Sequence, residues 1–370
     1  MNAEIIALIG FLIAAYAIVA NDAIQTLGTF LSSNSNRPWW VLWLYAGSVL
    51  LIVFLYSWFR YDGDVTYGRL EKFPEPAVGL TWLHVIPPVV VLVLTRFGIP
   101  VSTTFLVLTM FAPSNMGGML TKSLMGYVVA FVLGLLVYRY VAKTLEKRWI
   151  DSPSDAPGRT WVALQWCSTG FLWSLWLMHD LANIFVYLPR RLSIAYLVFA
   201  AVTMLVLHAI IFAFRGGEIQ KIVLSKTNTT DIRSATVVDF LYAFILLFFK
   251  ELNNMPMSTT WVFLGLLAGR EIAITLNSKQ KSLKATGKLV LSDGAKAGIG
   301  LAISVLLAIG LPGINHSLNE GSSLTASEPV TKTVEPKGAR EQNAAREQSA
   351  AREQSVAREQ NAALANPPLH

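Results

Sequence analysis

Charge is scarce in this chain: only 14% of its 370 residues are Asp, Glu, Lys or Arg, against about 25% in an average soluble domain. That shortage excludes an ordinary water-soluble fold. Cysteine is scarcer still. The single one, Cys167, lies in an apolar segment, so no disulfide framework and no CxxC metal site can form. Five histidines are scattered without metal-ligand spacing, and no nucleophile–base pair or metal motif marks an enzyme.

What fills the chain instead is oil. Hydrophobic residues make up 54% and the mean hydropathy is +0.49. Apolar runs near 4–32, 39–60, 80–97, 120–142, 161–186, 192–214, 234–252 and 289–311 approach the roughly 17–25 residues that span a bilayer core. Shorter ones cover 101–112 and 259–269. The first run carries Glu4 with no Lys or Arg ahead of it and lacks an A-x-A cleavage site. It is expected to be a retained helix rather than a signal peptide.

The net charge of +7 sits in short loops, so nucleic acid is not an expected partner. Arg139, Lys143, Lys147 and Arg148 close one span. Arg215, Lys221, Lys226 and Arg233 fill a second loop, and Arg270, Lys279, Lys281, Lys284 and Lys288 a third. The positive-inside rule places all three in the cytoplasm. The loop 61–79, with Asp62, Asp64, Glu71 and Glu75, fits the outside. Arg190 and Arg191 conflict with this scheme, since they fall on the outer face.

Two polar motifs recur in the same order. "VANDAIQTLGT" precedes "GIPVSTT", and "LMHDLANIFVY" precedes "NMPMSTT". Asn21 stands 79 residues before Pro100, and His179 stands 77 before Pro256. The expectation is an all-α polytopic membrane protein of two inverted structural repeats with broken helices and re-entrant hairpins, an architecture common among transporters. A first repeat covers 1–148, a polar linker 149–160, and a second repeat 161–311. The tail 312–370 repeats with period six, marked by Arg340, Arg346, Arg352 and Arg358. That period matches no helical stripe, and a largely disordered tail is expected.

Ser102, Thr103 and Thr104 follow Pro100, which favours a helix start; Ser258, Thr259 and Thr260 follow Pro256 in the same way. Each cluster opens a short apolar helix whose N-terminus offers hydroxyls and free amides to an anion. The plainer alternative is that the hydroxyls bond back to their own helices. Asp22 and Asp180 lie inside apolar runs, where an ionisable group is a functional candidate by default. Asn21 and Gln25 beside Asp22, and Asn183 beside Asp180, add oxygen ligands suited to a small cation. Either aspartate could instead cap a helix end near an interface.

These four stretches together resemble the inorganic phosphate transporter (PiT) family of cation-coupled phosphate carriers. "PMSTTWVFLGLLAG" resembles the family's P-V-S-T-T-H followed by small residues. The resemblance implies phosphate held between two hairpin tips, at Ser102, Thr103, Thr104, Ser258, Thr259 and Thr260. Coupling cations would sit beside it, at Asn21, Asp22, Gln25, His179, Asp180 and Asn183. The chain departs from the pattern at Gln25 and His179, and Phe105 and Trp261 stand where the family usually has histidine. Sodium or protons are the expected coupling ions, with no other cofactor, and a proton would be carried by His179 or an aspartate.

The expected function is import of inorganic phosphate with a cation, by an integral protein of a bacterial plasma membrane. Its partners would be phosphate, the coupling cation and the lipid bilayer, with a homo-oligomer left open. A sulfate carrier, or a non-transporting sensor or scaffold on the same fold, are the alternatives. Lys250 and Glu251 are expected to pair, His84 and His208 to be satisfied within helices, and Asp293 to cap the last helix. Asn253 and Asn254 are expected to cap or turn the chain before the second hairpin, and the eleven tryptophans to serve as interfacial anchors.

Overall fold

A computed structural model describes residues 3–76, 79–97, 99, 101–141, 158–216, 232–252, 255–278 and 282–325. Pro100, Asn253, Asn254, most of the linker and the hexapeptide tail lie outside them. The described residues up to Asn315 form one compact unit. Every described element is helical, and seven helices are long and apolar enough to cross a membrane. That suits lipid, where a backbone must satisfy its own polar groups.

The first repeat opens with α1 (Ala3–Ile18) and α2 (Ile24–Ser33), joined by a π turn at Val19–Ala23. Next come α3 (Trp39–Arg60), α4 (Ile86–Arg96) and α5 (Thr109–Phe111), the last preceded by a second π turn at Thr104–Leu108. Helix α6 (Met116–Val141) closes the repeat. The second repeat runs α7 (Arg159–Phe185), α8 (Ile194–Ala213), α9 (Ile232–Leu252), α10 (Thr259–Ser278) and α11 (Leu283–Thr325). Its last candidate span is Leu283–Leu311.

The two repeats run in opposite directions. Arg215, after α8, donates to the carbonyls of Ser35 and Arg37 at 3.1 Å, in the turn before α3. At the other end, Leu192 N–H before α8 donates to the Gly63 carbonyl after α3 at 2.9 Å. Helices α3 and α8, which hold equivalent places in the repeats, are therefore antiparallel neighbours. The pair α1–α2 opposes α7 likewise: Asn34 at the end of α2 donates to Gln165 near the start of α7 at 3.0 Å. The Gly10 backbone lies against the Tyr187 ring just past the end of α7.

Small residues let α10 press onto α6. A Cβ at Gly134 would lie 2.6 Å from the Leu266 carbonyl, and ones at Gly265 and Gly269 would overlap the carbonyls of Tyr127 and Phe131. Contact between backbones through glycine is a standard way to join helices in lipid, where no hydrophobic force draws them together. The second hairpin is thereby clamped onto the last helix of the first repeat.

Several sequence expectations change here. The run 259–269 is not a short half-helix but the first half of the 20-residue α10. Arg270 and Glu271 end the apolar run without ending the helix, because Arg270 is buried and paired. Its guanidinium meets Glu271 at 3.2 Å and stacks 5.1 Å from the Tyr138 ring. Asp293 lies inside α11 rather than at its start. Trp173 and Trp176 are core residues stacked at 4.9 Å rather than interfacial anchors, whereas Trp39 and Trp40 are exposed at the start of α3. Arg190 and Arg191 share an end with the acidic loop. Arg191 pairs with Asp62 at 2.7 Å and Arg190 donates to the Phe73 carbonyl at 2.9 Å.

Candidate functional site

Two π turns shape the first half of the site. A π turn carries one more residue per hydrogen-bonded turn than an α-helix and is frequent at functional sites. The first one, Val19–Ala23, holds Asn21 and Asp22 in the interior. The second follows directly on Ser102 and Thr103. In the second repeat the equivalent residues sit on regular helices: His179, Asp180 and Asn183 on α7, and Thr259 and Thr260 in the first turn of α10.

The serines cap the two hairpin helices. Ser102 Oγ accepts from Phe105 N–H at 3.3 Å, and Ser258 Oγ accepts from Trp261 N–H at 3.2 Å. Each is the N-cap bond to the third residue on. Phe105 and Trp261 then meet across the pseudo-two-fold, ring centroids 5.8 Å apart.

The threonines converge on the aspartates with the same symmetry. Thr103 donates to Asp22 at 2.5 Å and Thr259 to Asp180 at 2.7 Å, both within a repeat. Thr260 reaches Asp22 at 3.3 Å and Thr104 reaches Asp180 at 3.5 Å, both between repeats. These crossing hydroxyls have a second acceptor each, again in matching places: Thr260 reaches the Val101 carbonyl and Thr104 the Met257 carbonyl, both at 3.2 Å. Asn21 donates to Asp22 at 2.8 Å and Asn183 to Asp180 at 2.8 Å. Asn183 also reaches Thr103 and Thr104, at 3.1 and 3.2 Å. All of these side chains are buried.

Of the twelve residues singled out from the sequence, eight therefore lie in one network, and Ser102 and Ser258 cap the helices that present its threonines. Gln25 is buried, and among the described residues no hydrogen bond ties it to either aspartate. His179 turns away, one ring nitrogen meeting the Leu246 carbonyl at 2.9 Å. The carbonyl oxygens of the Asn21 and Asn183 side chains, and Nδ1 of His179, are buried without a hydrogen-bond partner among the described residues. Buried acceptors are rarely left so, and unpaired amide oxygens beside two carboxylates are what a desolvated cation would use as ligands.

Three buried ionisable residues escaped the sequence reading. Asp239 on α9 accepts from Thr29 of α2 and Thr169 of α7, both at 2.6 Å. Lys122 on α6 donates to the Met255 carbonyl at the second hairpin tip at 2.8 Å. Arg69 lies in the short helical turn Arg69–Lys72 of the acidic loop. Asp239 and Lys122 carried the signal of an ionisable residue inside an apolar run; Arg69 carried none, since loop arginines are ordinary. His84 accepts from Thr81 N–H at 3.1 Å, and Lys250 pairs with Glu251 at 3.0 Å, as the sequence suggested.

No protein-family model matches the chain, and no curated protein matches it. A solved structure of "the sodium-dependent phosphate transporter" does match, with a TM-score of 0.55 over 86% of this chain and 99% of that one, at 15% identity. The chain thus shares its fold with a membrane transporter and is itself an integral membrane protein with an all-helical bundle.

Proposed function

We propose that the protein is a secondary transporter that imports inorganic phosphate together with a coupling cation, sodium or a proton. The observation that carries this reading is the two-fold crossing of the hairpin hydroxyls onto Asp22 and Asp180. One hydroxyl from each repeat meets each carboxylate, so the site exists only where the repeats meet.

The chemistry follows from the count of protons. A threonine hydroxyl has one proton and two lone pairs. As the structure stands, the protons of Thr103 and Thr259 go to the carboxylates. A cation bound by the carboxylates and the unpaired amide oxygens would take lone pairs of the same hydroxyls. Their protons would then be released toward an anion. Coupling arises because the anion gains its donors only after the cation arrives. Repulsion points the same way: like charges about 5 Å apart repel by about 3 kcal/mol at an effective dielectric of about 20. Without a cation, phosphate beside two carboxylates would be expelled.

Orientation rests on the helix ends. Arg139, Arg215, Arg233 and Lys284 gather at one end of the bundle and the acidic loop at the other. The basic end faces the cytoplasm by the positive-inside rule. Labelled phosphate uptake into proteoliposomes, with a sodium gradient, a proton gradient or neither, tests the reading. Uptake driven by one gradient and abolished in the Asp22→Ala/Asp180→Ala double variant is expected. Uptake that survives in the double variant would refute the coupled mechanism. Stronger competition by sulfate than by phosphate across a pH series would move the assignment to sulfate.

A further inference from the structure

Arg69 is misplaced for a loop residue. It is only 2% exposed, and neither terminal guanidinium nitrogen has a hydrogen-bond partner among the described residues. A buried arginine is normally paired, and leaving its donors unmet costs more than making the bonds would return.

The loop is built to hold it there. Asp64 accepts from Thr66 N–H at 2.6 Å, from the Thr66 hydroxyl at 2.7 Å and from Gly68 N–H at 2.7 Å. This folds the chain back just before Arg69. Tyr67 and Gly68 both take left-handed backbone angles, φ 59° and 73°. Tyr67 is fixed there by its hydroxyl, which donates to the Val53 carbonyl at 2.8 Å. Backbone strain in a non-glycine residue is kept only where the surroundings enforce it.

The enforced side chain arrives beside the site. The turn Arg69–Lys72 packs on α7, the helix that carries His179 and Asp180. Lys122 is bonded to the second hairpin tip. Burial lowers the Arg69 guanidinium to about 10, with Asp180 opposing the shift, so it stays charged at neutral pH.

We propose that Arg69 forms an outer subsite for a tetrahedral oxyanion, at the acidic-loop end of the hydroxyl network, where substrate docks before reaching Thr103 and Thr259. This deepens the phosphate reading above and rests on it. The planar guanidinium offers two parallel donors that match an oxyanion edge, and the Lys122 amine stands at the same end, bonded to the second hairpin tip. Substrate would reach the subsite in the conformer open on this side, as alternating access requires.

The test compares wild type, Arg69→Gln and Arg69→Lys in phosphate uptake from the acidic-loop side, each first shown monodisperse in detergent. Losing a bidentate charged contact should raise the half-saturation concentration of Arg69→Gln by about 10-fold to 100-fold, with the maximal rate within about threefold. Arg69→Lys, which keeps the charge but not the fork, should fall between, and it carries the test alone if Arg69→Gln does not fold. Unchanged half-saturation in the folded variants would overturn the subsite while leaving the phosphate reading standing. So would a fall in maximal rate alone, which would make Arg69 a structural counter-charge to Asp180. A wild-type protein that takes up no phosphate would overturn both.

Discussion

Valine replaces threonine with almost no change in shape and removes only the hydroxyl, so the four hairpin threonines can be ranked one by one. Thr103 and Thr259 each make one short bond to a carboxylate, 2.5 and 2.7 Å. In the proposed mechanism the cation frees these protons for phosphate, where a hydrogen bond to a charged group contributes about 1.5–3 kcal/mol, and the best-placed hydroxyls belong at the upper end. At about 1.4 kcal/mol per tenfold, Thr103→Val and Thr259→Val should each raise the phosphate half-saturation concentration by about 30-fold to 100-fold. The crossing pair is different. Thr260 and Thr104 reach their carboxylates at 3.3 and 3.5 Å and each shares its one proton with a nearer carbonyl. Their bond to the carboxylate is weak, about 1 kcal/mol or less, so Thr104→Val and Thr260→Val should cost less than about fivefold. The assay is labelled phosphate uptake at saturating coupling ion, over a full concentration series for each variant. The pattern expected is two matched pairs, one severe and one mild. A repeat-specific pattern, with Thr103 and Thr104 both severe and Thr259 and Thr260 both mild, would refute the symmetric account.

The helix packing and the third buried carboxylate give sharper stability tests. Gly269→Ala should lower the melting temperature in detergent, because overpacking of a close contact costs about 1–3 kcal/mol. Gly294→Ala, on a face of α11 with nothing within 4 Å, should leave it unchanged or raised. Asp239→Ala should destabilise by about 2–4 kcal/mol, since it leaves the Thr29 and Thr169 hydroxyls without their acceptor and opens a void. Asp239→Asn, which keeps one acceptor oxygen, should lose about half as much in the same thermal melt.

The fold class and most of the candidate site were legible in the sequence for a physical reason. Lipid imposes long apolar runs, and against that background Asp22, Asp180 and the two Ser-Thr-Thr clusters stand out. The repeated spacing then pairs them. What the spacing does not carry is direction: nothing in it says that Thr103 meets its own repeat's aspartate while Thr104 crosses to the other. The length of α10 was hidden because Arg270 and Glu271 read as the end of a span, and only the burial of Arg270 against Tyr138 and Ser234 explains the helix continuing. Gln25 and His179 fell at motif positions, yet helix rotation directs His179 to Leu246 instead. Arg69 was invisible because its burial depends on a turn set by Asp64 and on two left-handed residues, a tertiary fact with no periodicity behind it.

The central claim is that cation and anion share one site at the junction of the repeats, and reciprocal binding measures it most directly. Equilibrium binding of labelled phosphate to purified protein should tighten as sodium, or protons, are raised. Binding of that cation should tighten by the same factor when phosphate is added, as linkage requires. Asp22→Asn/Asp180→Asn should erase the factor in both directions. Phosphate affinity independent of both sodium and pH, or a coupling factor unaltered in that double variant, would contradict the account.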